Sequence, residues 1–148
     1  LLSLLIRSSI PFINKIIKKY NGNLKNKKFA LWGLAFKPET NDMREAPAFN
    51  IVEELTKQGA KICAYDPKAM DTAKNIIGDK IEYAASAYEA LADCDALILA
   101  TEWNEFRNPD FDKIKSLLKT PVVFDGRNQY SYEELTKKGL EYYCIGKK

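Results

Sequence analysis

The sequence predicts an α/β domain built on a doubly wound, mainly parallel sheet of about six strands and preceded by an amphipathic helix. Three observations carry that expectation. Strand-like apolar runs alternate with helical patterns along most of the chain. Several runs are apolar at every position, as expected where helices cover both faces of a sheet. Finally, 148 residues with 46% apolar and 29% charged side chains suit one domain with a substantial core.

Taken in order, Leu2, Ile6, Ile10, Ile13, Ile17 and Tyr20 recur at helical spacing with Lys15, Lys18 and Lys19 between them, which predicts an amphipathic helix kinked or restarted at Pro11. The stripe begins at the first residue with no cap before it, so the chain is expected to start inside something longer. Asn and Gly in NGNLKNKK (21–28) break the helix. Strands are then expected at 29–33, 61–66, 80–84, 96–101, 122–126 and 141–146. Helices are expected between them, on the face formed by Ala48, Ile51, Val52 and Leu55, and over 68–77, 86–92, 110–118 and 131–138.

Composition excludes several chemistries. There is no histidine, which removes His-based catalytic dyads and most zinc sites. Cys63, Cys94 and Cys144 form no CxxC pair and stand in or beside apolar runs, so they read as inert thiols; no catalytic residue and no metal ligand is assigned. No apolar stretch is long enough for a membrane-spanning helix and the opening LLSLLI is a poor signal peptide, so the expected location is cytoplasmic, with no membrane partner. Residues 1–28 carry Arg7, Lys15, Lys18, Lys19, Lys25, Lys27 and Lys28 and no acid, although the whole chain is only +3. Without interleaved aromatics this reads as a solvated helix face rather than a nucleic-acid arm.

In a doubly wound sheet, ligands collect beyond the carboxyl ends of the strands. Phe36, Lys37 and Arg44 follow the first expected strand; Asp66 the second; Thr101, Glu102 and Trp103 the fourth; and Asp125, Gly126 and Arg127 the fifth. The first turn carries Gly33 but no GxGxxG, so an anion there would be met by side-chain cations: Lys37 as a mobile point charge and Arg44 as a planar fork. The alternative is that both pair with Glu39, Asp42 or Glu45 on the surface. Asp66 reads as a turn residue in preference to a ribose-binding acid, Trp103 and Phe106 as packing in preference to a base platform, and Asp125 as a holder of nearby backbone amides.

The stretches GLAFKPETNDMREAP (33–47), AYDP (64–67), ATEWNEF (100–106) and FDGRN (124–128), in this order and spacing, resemble the C-terminal, UDP-binding domain of the UDP-glucose/GDP-mannose dehydrogenase family. The resemblance runs from about residue 10 to the end of the chain, and TEW points to the branch that oxidises UDP-glucose. Asn41 departs from the usual Asp of the family, while Asp42 and Arg44 are retained. The resemblance implies an NAD-dependent oxidation of UDP-glucose to UDP-glucuronate through a cysteine-bound intermediate. It implies that Phe36, Lys37 and Arg127 contact the nucleotide-sugar and that Arg44 meets the pyrophosphate of NAD, which is bound mainly by domains absent from this chain.

None of the three cysteines matches the family's nucleophile motif, so the chain by itself is expected to be inactive. The family also implies that residues 1–27 are the end of a central connecting helix and linker, that 28–148 form the UDP-binding domain, and that the helix pairs two copies as a homodimer. The alternatives are the same domain from a related nucleotide-sugar dehydrogenase, or a free-standing nucleotide-binding or interaction module.

Overall fold

A computed structural model describes residues 4–35 and 47–145. The chain opens with α1 (Leu4–Lys19) and then alternates: β1 (Lys28–Trp32), α2 (Pro47–Lys57), β2 (Lys61–Tyr65), α3 (Met70–Ile77), β3 (Glu82–Tyr83), β4 (Ala96–Leu99), α4 (Phe111–Leu117), β5 (Val122–Asp125), α5 (Tyr132–Lys137) and β6 (Glu141–Cys144). The six strands form one sheet in the order β3-β2-β1-β4-β5-β6, and every pairing is parallel. From β1 the chain works outward through β2 and β3, then crosses back to β4 on the other side of β1. The fold is Rossmann-like, and its topological switch point lies between β1 and β4.

Strand pleating divides the core. Phe29, Leu31, Ile98 and Phe124 point to one face, where α1, α2 and α3 cover them; Ala30, Trp32, Leu97, Leu99 and Val123 point to the other, beneath α4, α5 and Phe106. With both faces covered, all four residues of β4 and of β5 are buried, which is why ALIL and VVF are apolar at every position, and the buried Asp125 that ends β5 needs hydrogen-bond partners. Asp110 and Ser131 cap α4 and α5 by accepting from the backbone N–H groups of Lys113 and Glu134.

Two expected elements come out smaller. The stretch 86–92 holds a single 3-10 turn at Glu89–Leu91, because it is a short connection already pinned by the Trp32 indole, which donates to the Ala87 carbonyl at 2.8 Å. The third strand is two residues long, since at the sheet edge it pairs with β2 alone.

The first helix departs from expectation in two ways. It runs unbroken through Pro11. Its buried face is Phe12, Ile13 and Ile16, whereas Ile10, a member of the expected stripe, is 40% exposed and Ile17 is only partly buried. The rotation follows from what the helix covers: α1 packs beside α2 and across the sheet, with Tyr20 edge-on to Phe29 at 5.6 Å. Burying each such Phe or Ile stabilises the contact by roughly 1.5–3 kcal/mol. Lys19 clasps Glu141 at the start of β6 at 2.7 Å, and Phe12 lies against Gly126 just past the end of β5, so α1 runs antiparallel to the strands. From Phe12 back to Leu4 the helix therefore continues roughly 12 Å beyond the carboxyl edge of the sheet. Among the described residues, no helix is long and apolar enough to cross a membrane.

Candidate functional site

The carboxyl edge at the switch point is organised by two buried aspartates. Asp66, just past β2, is 1% exposed and accepts five hydrogen bonds. Its Oδ2 takes the backbone N–H groups of Leu34 at 2.7 Å and Ala35 at 3.1 Å and the indole N–H of Trp103 at 3.2 Å; its Oδ1 takes the N–H groups of Lys68 and Ala69, both at 2.8 Å. One carboxylate thus ties together the turns that follow β1, β2 and β4. With both oxygens occupied by protein donors, Asp66 holds these turns and does not face a ribose.

Asp125, the last residue of β5, does the same for the next turn. Its Oδ1 accepts from Arg127 N–H at 2.8 Å, and its Oδ2 from Gln129 and Tyr130 N–H and the Tyr142 hydroxyl at 2.7, 2.8 and 2.7 Å. Burial and the neighbouring Asp125 carboxylate push the hydroxyl pKa values of Tyr130 and Tyr142 far up, so both remain protonated donors.

Between these hubs the backbones approach closely. Gly33 has φ +101, and a Cβ there would lie 2.5 Å from Thr101 Cβ and 2.7 Å from Thr101 N. Thr101 in turn donates its hydroxyl to the Ala35 carbonyl at 2.9 Å. Only glycine gives both the dihedral and the clearance.

Arg127 reaches the same rim. Its Nη2 donates to Glu102 Oε1 at 3.0 Å, and both side chains are more than a third exposed. Phe36, Lys37 and Arg44 lie outside the described residues; the segment that carries them leaves from Ala35, clamped by Asp66 and Thr101, and ends at Pro47, the first residue of α2. Trp103 and Phe106 are buried, and Phe106 stacks on Trp32 at 4.9 Å, so they pack the rim rather than offer a base platform.

The Glu102–Arg127 pair was not legible from the residues, because it depends on β4 and β5 being neighbours. Nor does the sequence signal Gln129, whose side-chain Nε2 and Oε1 are both buried with no partner among the described residues.

The three thiols are those of Cys63, Cys94 and Cys144. All three are buried; burial pushes Cys94 up to about 12, and its Sγ donates to the Ala90 carbonyl at 3.2 Å, while Cys63 is also raised, by burial above all. Among the described residues, no group of three or more His, Cys, Asp or Glu is placed to hold a metal ion. A pyrophosphate approaching the first turn, as in a dinucleotide-binding domain, would need backbone N–H groups there. Those of Leu34 and Ala35 are already taken by Asp66, so the described residues do not fit that role for NAD.

The chain is similar to known proteins over most of its length. Residues 30–132 match the family model described as the UDP-glucose/GDP-mannose dehydrogenase family, UDP binding domain. A UDP-glucose 6-dehydrogenase from Rhizobium meliloti (strain 1021) is 44% identical over 133 residues, covering 90% of this chain and 30% of that protein. UDP-glucose 6-dehydrogenase TuaD from Bacillus subtilis (strain 168) is 44% identical over 126 residues, covering 85% of this chain and 27% of that protein. Among solved structures, a UDP-glucose dehydrogenase from Pyrobaculum islandicum superimposes with a TM-score of 0.75 at 26% identity, over 95% of this chain and 29% of that one. The chain therefore spans about 30% of the length of the curated relatives it matches. With residues 30–132 matched to that family model and the parallel α/β fold shared with a solved member, the chain belongs to the UDP-glucose/GDP-mannose dehydrogenase family and carries its UDP-binding domain.

Proposed function

We propose that this domain holds the nucleotide-sugar in an NAD-dependent enzyme that oxidises UDP-glucose to UDP-glucuronate. The observation that carries the reading is Arg127, whose guanidinium is presented at the carboxyl edge beside the switch point by a turn that Asp125 fixes at three backbone N–H groups. A planar, permanently charged fork on a rigid base suits the oxygens of a diphosphate. Phe36 and Lys37 are the further contacts to UDP-glucose, and Arg44 the contact to the NAD pyrophosphate. The rest of the NAD site and the reactive cysteine belong to chain outside these 148 residues, because the first-turn amides are occupied and the thiols are buried. This chain alone binds and orients; it does not transfer hydride.

Calorimetric titration of the intact protein with UDP tests the assignment. Arg127→Ala and Lys37→Ala should each weaken binding by about 1–3 kcal/mol, the range for a charge-assisted hydrogen bond. Variants that bind UDP as tightly as the parent would sink it.

Residues 1–27 are read as the end of a connecting helix and linker and 28–148 as the UDP-binding domain, in a protein that works in the cytoplasm. Homodimerisation through α1 is part of the same proposal. Supporting it, Ile10 is 40% exposed and lines a groove with Ile13, Asn14 and Ile17 of α1 and Asn50 and Glu54 of α2. Ile13, a member of the expected stripe, is buried within the chain's own core, so the pairing surface is narrower than that stripe. Sedimentation should show a dimer that Ile10→Glu weakens; a protein that stays monomeric at high concentration would remove the dimer.

A further inference from the structure

We propose that Glu102 is a positioning residue for Arg127, holding one edge of the guanidinium so that the other is offered to a diphosphate. The inference rests on reading Arg127 as a phosphate contact. β4 and β5 are parallel neighbours with Leu99 paired to Asp125, so the turns that leave them emerge side by side. Glu102 sits between two anchored residues: Thr101, 2% exposed and bonded to the Ala35 carbonyl, and Trp103, 4% exposed and bonded to Asp66. Its backbone is therefore clamped on both sides while its own side chain is exposed. Arg127 is set in the same way, through its own N–H on Asp125 and through Gly126 N–H on the Leu99 carbonyl at 2.8 Å.

Two long side chains with fixed origins meet at one contact, Nη2 to Oε1 at 3.0 Å. Among the described residues the guanidinium has no other hydrogen-bond partner, so Nε–H, Nη1 and the second proton of Nη2 remain for a ligand. A carboxylate beside a phosphate site also repels the ligand. Here that repulsion is the smaller effect, because the pair stands in a setting open to water and screening ions. The hydrogen bond, in contrast, acts at direct contact and removes rotamers that Arg127 would otherwise lose on binding.

The test is UDP affinity in the intact protein for Glu102→Ala, Glu102→Gln, Arg127→Ala and the double variant Glu102→Ala/Arg127→Ala. Alanine removes both the acceptor and the charge and should weaken UDP binding about three- to fivefold, the upper end for an exposed ion pair. Glutamine keeps an acceptor oxygen and should stay within about twofold of the parent. In the Arg127→Ala background, Glu102→Ala should change nothing further, since a residue that acts through Arg127 has nothing left to position. The unfolding midpoint should not move, which separates positioning from a structural role. An alanine variant that binds UDP as tightly as the parent or more tightly overturns the inference, and so does a loss that persists without Arg127. If Arg127→Ala itself binds normally, the reading of the site falls and this inference with it; if Arg127→Ala is weakened while Glu102→Ala is not, only the role of Glu102 falls.

Discussion

Asp66→Ala should destabilise the domain by about 3–5 kcal/mol, the range for stripping one partner from a buried, charged hydrogen-bond network. The change deprives four backbone N–H groups and one indole N–H of their acceptor at once, in turns drawn from three different strands. Each orphaned donor costs about 1–3 kcal/mol if it stays dry, and water entering the vacated space recovers part of that sum. Against a typical total of about 5–15 kcal/mol, the loss is a large share of the stability. Asp66→Asn should also be costly, because half of its amide presents N–H to donors. An unfolding free energy from urea denaturation for Asp66→Ala within about 0.5 kcal/mol of the parent would show that the hub is not what holds the rim together.

Gly33→Ala should cost about 3 kcal/mol or more. Two penalties coincide: a non-glycine residue at φ +101, worth roughly 1–3 kcal/mol by itself, and a methyl placed 2.5 Å from Thr101 Cβ and 2.7 Å from Thr101 N. The second obstacle is backbone, so no rotamer change at Thr101 relieves it. Gly22 supplies the control, with φ +78 and nothing within 4 Å of its would-be Cβ. There only the dihedral term acts, and Gly22→Ala should cost about 1 kcal/mol. Equal losses at the two sites, read from denaturation curves, would mean that the close approach of β1 to β4 carries no energetic weight.

Much of the fold was legible because local pattern and tertiary demand coincide. The runs FALW and ALIL are apolar at every position, and both prove to be strands covered on both faces. The phase of α1 was not legible. Apolar residues at 10, 12, 13, 16 and 17 permit more than one stripe, and only contact with the sheet selects Phe12, Ile13 and Ile16 over Ile10. The span 86–92 has a helical pattern but forms only a 3-10 turn, where the Trp32 indole donates to the Ala87 carbonyl, a contact made only once β1 is in place.

At the site, the sequence marked Asp66 and Asp125 as turn residues, since an acid before a turn is a local signal. It could not show that Asp66 also takes amides from Leu34 and Ala35 and the Trp103 indole, because those donors meet it only once β1, β2 and β4 are aligned. The pairing of Glu102 with Arg127 was hidden for the same reason. Lys37 and Arg44 rest on motif alone, since they lie outside the described residues.

UDP binding at the carboxyl edge of β1, β4 and β5 has a direct signature. It is tested most directly by titrating the isotope-labelled chain with UDP and following its backbone amide resonances, a readout that registers weak binding. Shifts should concentrate at Gly33, Leu34, Ala35, Glu102, Gly126 and Arg127, with Lys61, Asp95 and Glu141 at the opposite edge unmoved. Shifts centred on that opposite edge or on the exposed face of α1, with the Arg127 turn silent, would contradict binding at the carboxyl edge.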